Sequence, residues 1–189
     1  MFIQIEETPN PNTLKFLPGF AILSEGETAD FSNTDEIKNS KLAANLFQIE
    51  HVMRVFFGHD FISVTKPDGI NWDILKVEIL TTIMDHFTSG EKALDKEGVN
   101  NNIPDEEFFD ENDIETVNRI KELMESYIKP AVAQDGGDIK FRGYKDGIVY
   151  VELQGACSGC PSAAVTLKQG VQNMLCYHIS EVSGIETIL

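Results

Sequence analysis

Apolar residues in the C-terminal part of the chain recur first at helical spacing and then at strand spacing. From Ile114 to Ile128 every third or fourth residue is apolar, which predicts an amphipathic helix that Pro130 limits. The runs 139–144 and 148–153 are rich in β-branched and aromatic residues and flank a Lys-Asp-Gly turn, which predicts a β-hairpin.

The end of the chain predicts one more helix and one more strand. Pro161 lies where a helix can begin, because the first helical residue needs no N–H donor, and helically spaced apolar residues follow it to Leu175. Residues 182–189 include a last short strand. Residues 113–189 therefore predict a small α+β domain in the order α-β-β-α-β.

Residues 1–88 predict a second small α+β domain. The predicted elements are strands near 2–5 and 14–17, a helix at 41–48, a hairpin of 52–57 and 61–65, and a helix at 72–87. The residues expected on one face of that last helix are Ile74, Leu75, Ile79, Ile83 and Phe87.

The periodicity disappears between the two domains. Residues 89–112 contain glycines, three consecutive asparagines, Pro104 and the acidic run 105–107. This composition predicts a solvated, acidic, flexible linker, because it offers little apolar area to bury. Phe108 and Phe109 are the exception, and we expect them to attach the linker to a domain.

The charge and hydropathy of the chain exclude several classes of protein. Acidic residues (31) outnumber basic ones (15), giving a net charge of −16, so a nucleic-acid polyanion would be repelled. The longest apolar runs are far shorter than the roughly 20 residues that span a bilayer. The N-terminus resembles neither a signal nor a transit peptide. These features predict a cytoplasmic bacterial protein, or a mitochondrial matrix protein if this is a mature organellar form.

The three cysteines are the candidate residues for metal binding or redox chemistry. An odd number without a secretion signal argues against a disulfide framework. Cys157 and Cys160 lie in the loop Gly-Ala-Cys-Ser-Gly-Cys-Pro, where two intervening residues let both sulfurs point at one centre. The glycines and the positive end of the helix that follows favour thiolates, which are soft ligands for iron–sulfur clusters or zinc.

The ligand count favours a cluster held between two chains. A [4Fe–4S] cluster normally takes four thiolates, and this loop supplies two. Cys176 lies about 24 Å further along the predicted helix, too far to be a third ligand, and we expect it to be a small buried hydrophobe. A thiol–disulfide oxidoreductase and a zinc-binding dimerisation module remain open as alternatives.

The cysteine loop belongs to a longer set of matching motifs. Residues 113–189 resemble the C-terminal domain of the NifU-like (Nfu) family in Ile-Lys-Pro at 128–130, Asp-Gly-Gly-Asp at 135–138, the loop at 155–162 and Thr-Leu-Lys at 166–168. Residues 1–88 resemble the N-terminal domain of its two-domain mitochondrial and bacterial members. There the matches are the segment 8–16, Val-Phe-Phe-Gly at 55–58 and Asp-Phe-Ile at 60–62.

This resemblance implies a carrier and not an enzyme. It implies that two C-terminal domains bind one [4Fe–4S] cluster through Cys157 and Cys160 of each chain, so that the cluster-bound form is a homodimer. It further implies delivery of the cluster to apo iron–sulfur enzymes, supply by upstream cluster assembly proteins, and no ligand in the N-terminal domain.

Overall fold

The chain forms two compact units, Met1–Asn102 and Ile103–Leu189. The computed structural model describes residues 2–32, 37, 39–95, 107–158 and 161–188, and only the backbone of residues 161–164. Each unit contains helices and a sheet, which confirms the predicted α+β class. No helix within these described ranges is long and apolar enough to cross a membrane.

The first unit is built on a five-stranded antiparallel sheet in the order β1-β2-β5-β4-β3. The strands are β1 (Gln4–Glu7), β2 (Thr13–Leu17), β3 (Ala29–Phe31), β4 (Arg54–Phe57) and β5 (Ile62–Thr65). The strand β3 was not predicted, because its three residues carry too little periodicity. This strand is held by its neighbour: Arg54 Nε donates to Asp30 Oδ1 at 2.7 Å, and Phe31 packs edge-on against Phe57.

Two helices, α1 (Lys41–Phe47) and α2 (Trp72–Thr88), share a hydrophobic core with this sheet. Ser40 caps α1 and Asn71 caps α2, each accepting a hydrogen bond from a first-turn backbone N–H. The buried side chains of α2 are Leu75, Ile79, Ile83 and His86. Ile74 was expected with them, but it is 68% exposed on the outer side of the helix, because one residue turns a helix by about 100°.

The second unit begins with a long irregular helical segment. Asp110 caps its first turn, since Asp110 Oδ1 accepts from the Asn112 N–H at 2.9 Å. The segment comprises α3 (Ile114–Leu123), a π-helical stretch (Met124–Ile128) and α4 (Lys129–Gln134). The prediction that Pro130 limits the helix was wrong: the regular α-helix α3 ends earlier, at Leu123, and Pro130 is the second residue of α4. The helical path continues past Pro130 because the wider π-turns before it accommodate its ring.

The sheet of the second unit has three strands: β6 (Gly137–Lys145), β7 (Ile148–Gly155) and β8 (Gly184–Thr187). The strands β6 and β7 form the predicted antiparallel hairpin, while β8 pairs parallel to β7 after the helix α5 (Pro161–His178). The apolar sides of this sheet and the helices share one core. The order of elements confirms the predicted α-β-β-α-β arrangement.

Phe108 lies against the sheet of the second unit, as predicted for this residue. Its backbone N–H donates to the Arg142 carbonyl at 3.1 Å, and its carbonyl accepts from the Tyr144 N–H at 2.9 Å. Its ring lies 5.0 Å from that of Tyr150. The domain boundaries predicted at 88 and 113 stay a prediction, and much of the predicted linker lies outside the described residues.

Candidate metal centre

The cysteine loop starts where β7 ends and lies beside the start of β6. Gly155 closes β7 with a φ of 64°, and Gly136 precedes β6 with a φ of 82°, conformations that glycine adopts without steric cost. The Ala156 N–H donates to the Gly136 carbonyl at 3.2 Å, and the Ser158 N–H donates to the Gly155 carbonyl at 3.1 Å. These bonds hold the loop between the two strand ends.

Of the two predicted cluster ligands, Cys157 lies within the described residues. Its residue is only 5% exposed and packs in the core of the second unit. A Cβ atom built on Gly137 would lie 2.8 Å from Cys157 Sγ and 2.5 Å from the Gln154 carbonyl oxygen. The absence of a side chain at position 137 is therefore what makes room for this thiol, and sequence reasoning did not assign Gly137 that role.

Cys160, the second predicted ligand, lies outside the described residues, as does Gly159. The pairing of the two cysteines therefore stays a prediction. Within the described ranges no group of three or more His, Cys, Asp and Glu side chains could hold a metal ion. The helix α5 begins at Pro161, as the sequence predicted, so the loop leads directly into a helix N-terminus.

Cys176 lies far from the start of α5. It is near the end of this helix, about 22 Å along the axis from the first residue. Its side chain is partly buried and packs against the core, which agrees with an apolar packing role. That Cys176 is not a third ligand in the same chain stays a prediction, and the distance agrees with it.

A polar network lies on the same strand as the loop. Arg142 Nε donates to Glu152 Oε2 at 2.7 Å, and Gln154 Nε2 donates to Glu152 Oε1 at 2.8 Å. Burial alone would raise the pKa of Glu152, but the hydrogen bonds from Gln154 and Arg142 outweigh it and lower that pKa. Gln154 is 7% exposed, and its Oε1 has no hydrogen-bond partner among the described residues.

This network was missed in the sequence analysis, although a signal was present. Glu152 and Gln154 occupy alternate positions of β7, opposite in phase to the core residues Val149 and Val151. Two polar residues at that phase, directly before a Gly-Ala-Cys loop, indicate a second polar face next to the site. The network fixes the end of the strand from which Cys157 projects.

Chemically, the loop offers the Cys157 thiol just after a strand end, backbone carbonyls that already accept from N–H groups, and a helix that starts four residues after the thiol. A thiolate in this setting is a ligand for soft metal centres. One chain supplies at most the two loop cysteines to such a centre, because Cys176 is too distant.

Comparisons with known proteins agree with this arrangement of two units. A family model described as "Scaffold protein Nfu/NifU N terminal" matches residues 3–90, and one described as "NifU-like domain" matches residues 120–186. The two matches cover most of both units, including the cysteine loop.

Curated relatives resemble the chain over its whole length. It is 48% identical over 188 residues to "NFU1 iron-sulfur cluster scaffold homolog, mitochondrial" of Drosophila sechellia, covering 100% of this chain and 65% of the relative. A human protein of the same name is 48% identical, with 100% of this chain and 72% of the relative covered. "NifU-like protein 4, mitochondrial" of Arabidopsis thaliana is also 48% identical, with 98% and 65% covered.

The chain spans about two thirds of the length of these relatives. The identity, the coverage of the human relative and the two domain matches nevertheless agree with each other and with the fold. The chain therefore belongs to the family of Nfu/NifU scaffold proteins, and it carries both of the family's domains.

Proposed function

We propose that the chain is an iron–sulfur cluster scaffold and carrier that binds a [4Fe–4S] cluster between two copies of itself. The position of Cys157, at a glycine-framed strand end just before α5, is the observation that carries the proposal. Cys157 and Cys160 of each copy would supply the four thiolates that such a cluster takes. The names of the relatives, which are iron–sulfur cluster scaffold homologs, support this role.

The cluster is cargo in this proposal, and the protein does not act as an enzyme. A centre at the seam of two chains has ligands that separate when the chains separate, so it is released more readily than one enclosed in a single core. The cluster would come from upstream assembly proteins and pass to apo iron–sulfur enzymes. Ligand exchange between thiolates of carrier and acceptor requires no covalent chemistry on the chain beyond its two cysteines.

Loading requires Cys157 to move. In the structure its residue is 5% exposed and packed among the core of the second unit, whereas a ligand shared with another chain must reach the surface. The loop has the means to turn outward, because Gly155 and Gly159 flank Cys157 and tolerate a wide range of backbone angles. Uptake of the cluster would therefore be coupled to a local opening of the loop.

The alternative of a thiol oxidoreductase is separated from this proposal by experiment, because an opening that lets Cys157 bind a cluster would equally expose it as a nucleophile. The related proteins named above are mitochondrial, which favours the mitochondrial matrix over a bacterial cytoplasm as the place of action.

The test is anaerobic reconstitution with iron and sulfide, with iron, sulfide and oligomeric mass measured on the same sample. About two irons and two sulfides per chain in a dimer are expected for a shared [4Fe–4S] cluster. The same ratio in a monomer would contradict the shared site. Zinc without colour would indicate the dimerisation module, and metal-free cycling between dithiol and disulfide would indicate the oxidoreductase.

A further inference from the structure

The helix α2 of the first unit is apolar on two opposite sides. Its inner side packs in the core through Leu75, Ile79 and Ile83. On the outer side Ile74 is 68% exposed, Val77 65% and Met84 37%. Helical spacing brings these three side chains together with Thr81 and Thr88 into one stripe directly opposite the core.

No charged residue interrupts this stripe. A solvent-facing helix side normally carries charged residues, and an apolar patch here, on the order of 300 Å², marks an interaction surface. Nothing in the described part of the first unit covers it, since Ile74, Val77 and Met84 are among its exposed large hydrophobic residues. The function proposed for the cysteine loop makes no use of it.

Acidic residues flank the stripe on both sides. Asp73 lies on one side, and Glu78 and Asp85 lie on the other, all three exposed. The single lysine or arginine of α2, Lys76, is half-buried and lies on the side of Asp73, away from Glu78 and Asp85. Neither Glu78 nor Asp85 forms an ion pair with any residue in the described ranges.

On the side of Glu78 and Asp85 the surface dips into an open groove of about 510 Å³ between α1 and α2. Glu91 also lines this groove, and its single lysine, Lys41, is already paired with Glu91. The hydrogen bond from Lys41 is the main cause that lowers the pKa of Glu91. The pair of Lys41 and Glu91 is neutral together, so the remaining carboxylates of Glu78 and Asp85 leave the groove anionic.

His86 also lines this groove, with a side chain that is 1% exposed. Its Nε2 donates to the Lys92 carbonyl oxygen at 2.9 Å, because that oxygen can only accept. Its Nδ1 lies 3.4 Å from Glu91 Oε2, so the ring packs directly against one of the three carboxylates of the groove.

We propose that the outer stripe of α2 and the groove beside it form a docking surface for an apolar, basic segment of a partner protein. Apolar side chains of that segment would cover Ile74, Val77 and Met84. A lysine or arginine side chain would enter the groove and donate to the carboxylates of Glu78 and Asp85. The stripe from Ile74 to Met84 is about 15 Å long, which matches roughly three turns of a partner helix.

The negative charge around the stripe favours a basic partner segment over a second copy of this chain and over an anionic membrane. A second copy would place its own Asp73, Glu78 and Asp85 against the same residues, and each chain carries a net charge of −16. An anionic membrane surface is repelled for the same reason. The apolar area is well below that of a stable complex, so the contact is weak and reversible.

The docking surface does not depend on cluster binding, so it is tested on the whole 189-residue chain without a cluster. The probe is a synthetic amphipathic peptide of about 16 residues, with leucines on one face and lysines beside them, titrated into isotope-labelled protein by NMR. Backbone shifts confined to α1, α2 and the 89–92 segment are expected, with binding weakened by added salt. A matched peptide with glutamate in place of lysine should bind at least about tenfold more weakly.

Two variants and one control locate the surface. The double variant Val77→Ser/Met84→Ser and the double variant Glu78→Gln/Asp85→Asn should each weaken peptide binding about tenfold, with the amide spectrum otherwise intact. Met53→Ser, at another exposed apolar residue of the same unit (56% exposed), should leave binding unchanged.

Four results would overturn the proposal: equal binding of the glutamate peptide, shifts that map outside α1, α2 and the 89–92 segment, self-association that Val77→Ser abolishes, or binding to anionic vesicles through the stripe. Because the probe needs no metal, a failure here leaves the iron uptake measured by reconstitution unaffected.

Discussion

Gly137 and Cys157 are neighbours in space because position 137 has no side chain. An ideal Cβ there would lie 2.8 Å from Cys157 Sγ and 2.5 Å from the Gln154 carbonyl oxygen. The first neighbour is a side chain that can turn away, but the second is backbone within the β6–β7 ladder and is fixed in place. The observed position of Cys157 therefore requires a glycine at position 137.

The substitution Gly137→Ala should destabilise the second unit by about 2 kcal/mol and reduce iron uptake on reconstitution. The added methyl group overpacks a filled site, and either β6 or the cysteine loop must shift. Amide hydrogen exchange of β6 and β7 measures this directly. Trp72, the single tryptophan, is unsuitable because it lies in the first unit.

Gly143→Ala is the matched control for that variant. Its Cβ would also be too close to a neighbour, at 2.6 Å, but that neighbour is the tip of the Phe108 ring, which is 42% exposed and can swing aside. We expect a change within about 0.5 kcal/mol and normal iron uptake. Equal losses for both variants would show that the backbone contact of Gly137 is unimportant.

Cys157→Ser and Cys160→Ser should each abolish the brown colour and the cluster-dependent dimer on reconstitution. Removing one ligand from each chain leaves two thiolates for a cluster that takes four. Cys176→Ser is the control, because Cys176 packs against the core far along α5, and it should retain full iron content. Loss of iron with Cys176→Ser alone would contradict the proposed ligand set.

The thiol of Cys157 should react slowly in the apo protein. A variant with Cys160→Ser and Cys176→Ser leaves Cys157 as the single thiol, and its residue is 5% exposed in the structure. We expect alkylation at least about tenfold slower than in denaturant, because reaction requires the loop to open first. The reaction is followed by mass spectrometry, and equally fast alkylation in both conditions would show that the thiol is not buried in solution.

Local chemistry made some elements predictable. The Lys-Asp-Gly turn predicted the β6–β7 hairpin, and the structure shows Asp146 with a φ of 50° and Gly147 with a φ of 80°, as a primed turn requires. Pro161 predicted the start of α5 because its missing N–H costs nothing there. Both signals act over a few residues and therefore need no knowledge of the fold.

What sequence reasoning missed depends on contacts between distant residues. The strand β3 exists because it pairs with β4, 24 residues later at Asp30 and Arg54. The burial of Cys157 depends on Gly137, and the helical path past Pro130 depends on π-turns that local propensity does not predict. The roles of Cys157 and Cys160 as ligands stay a prediction.

The ion pair of Arg142 and Glu152 should stabilise the second unit at neutral pH and not in acid. The folded pKa of Glu152 lies below the unfolded value, so the folded state binds its proton less readily. The corresponding stability is present above the unfolded pKa of about 4.3 and is lost as pH falls through the depressed folded pKa. Arg142→Met removes two of the interactions that lower this pKa and leaves the carboxylate partly buried.

We expect Arg142→Met to cost about 1–2 kcal/mol at pH 7 and much less near pH 2.5, measured by urea unfolding of the second unit at both values. Lys129→Met is the control, because its pair with Glu125 is a more exposed helical pair and should contribute only a few tenths of a kcal/mol. A loss for Arg142→Met that stays constant down to pH 2.5 would assign its role to packing of the arginine stem and not to the charge of Glu152.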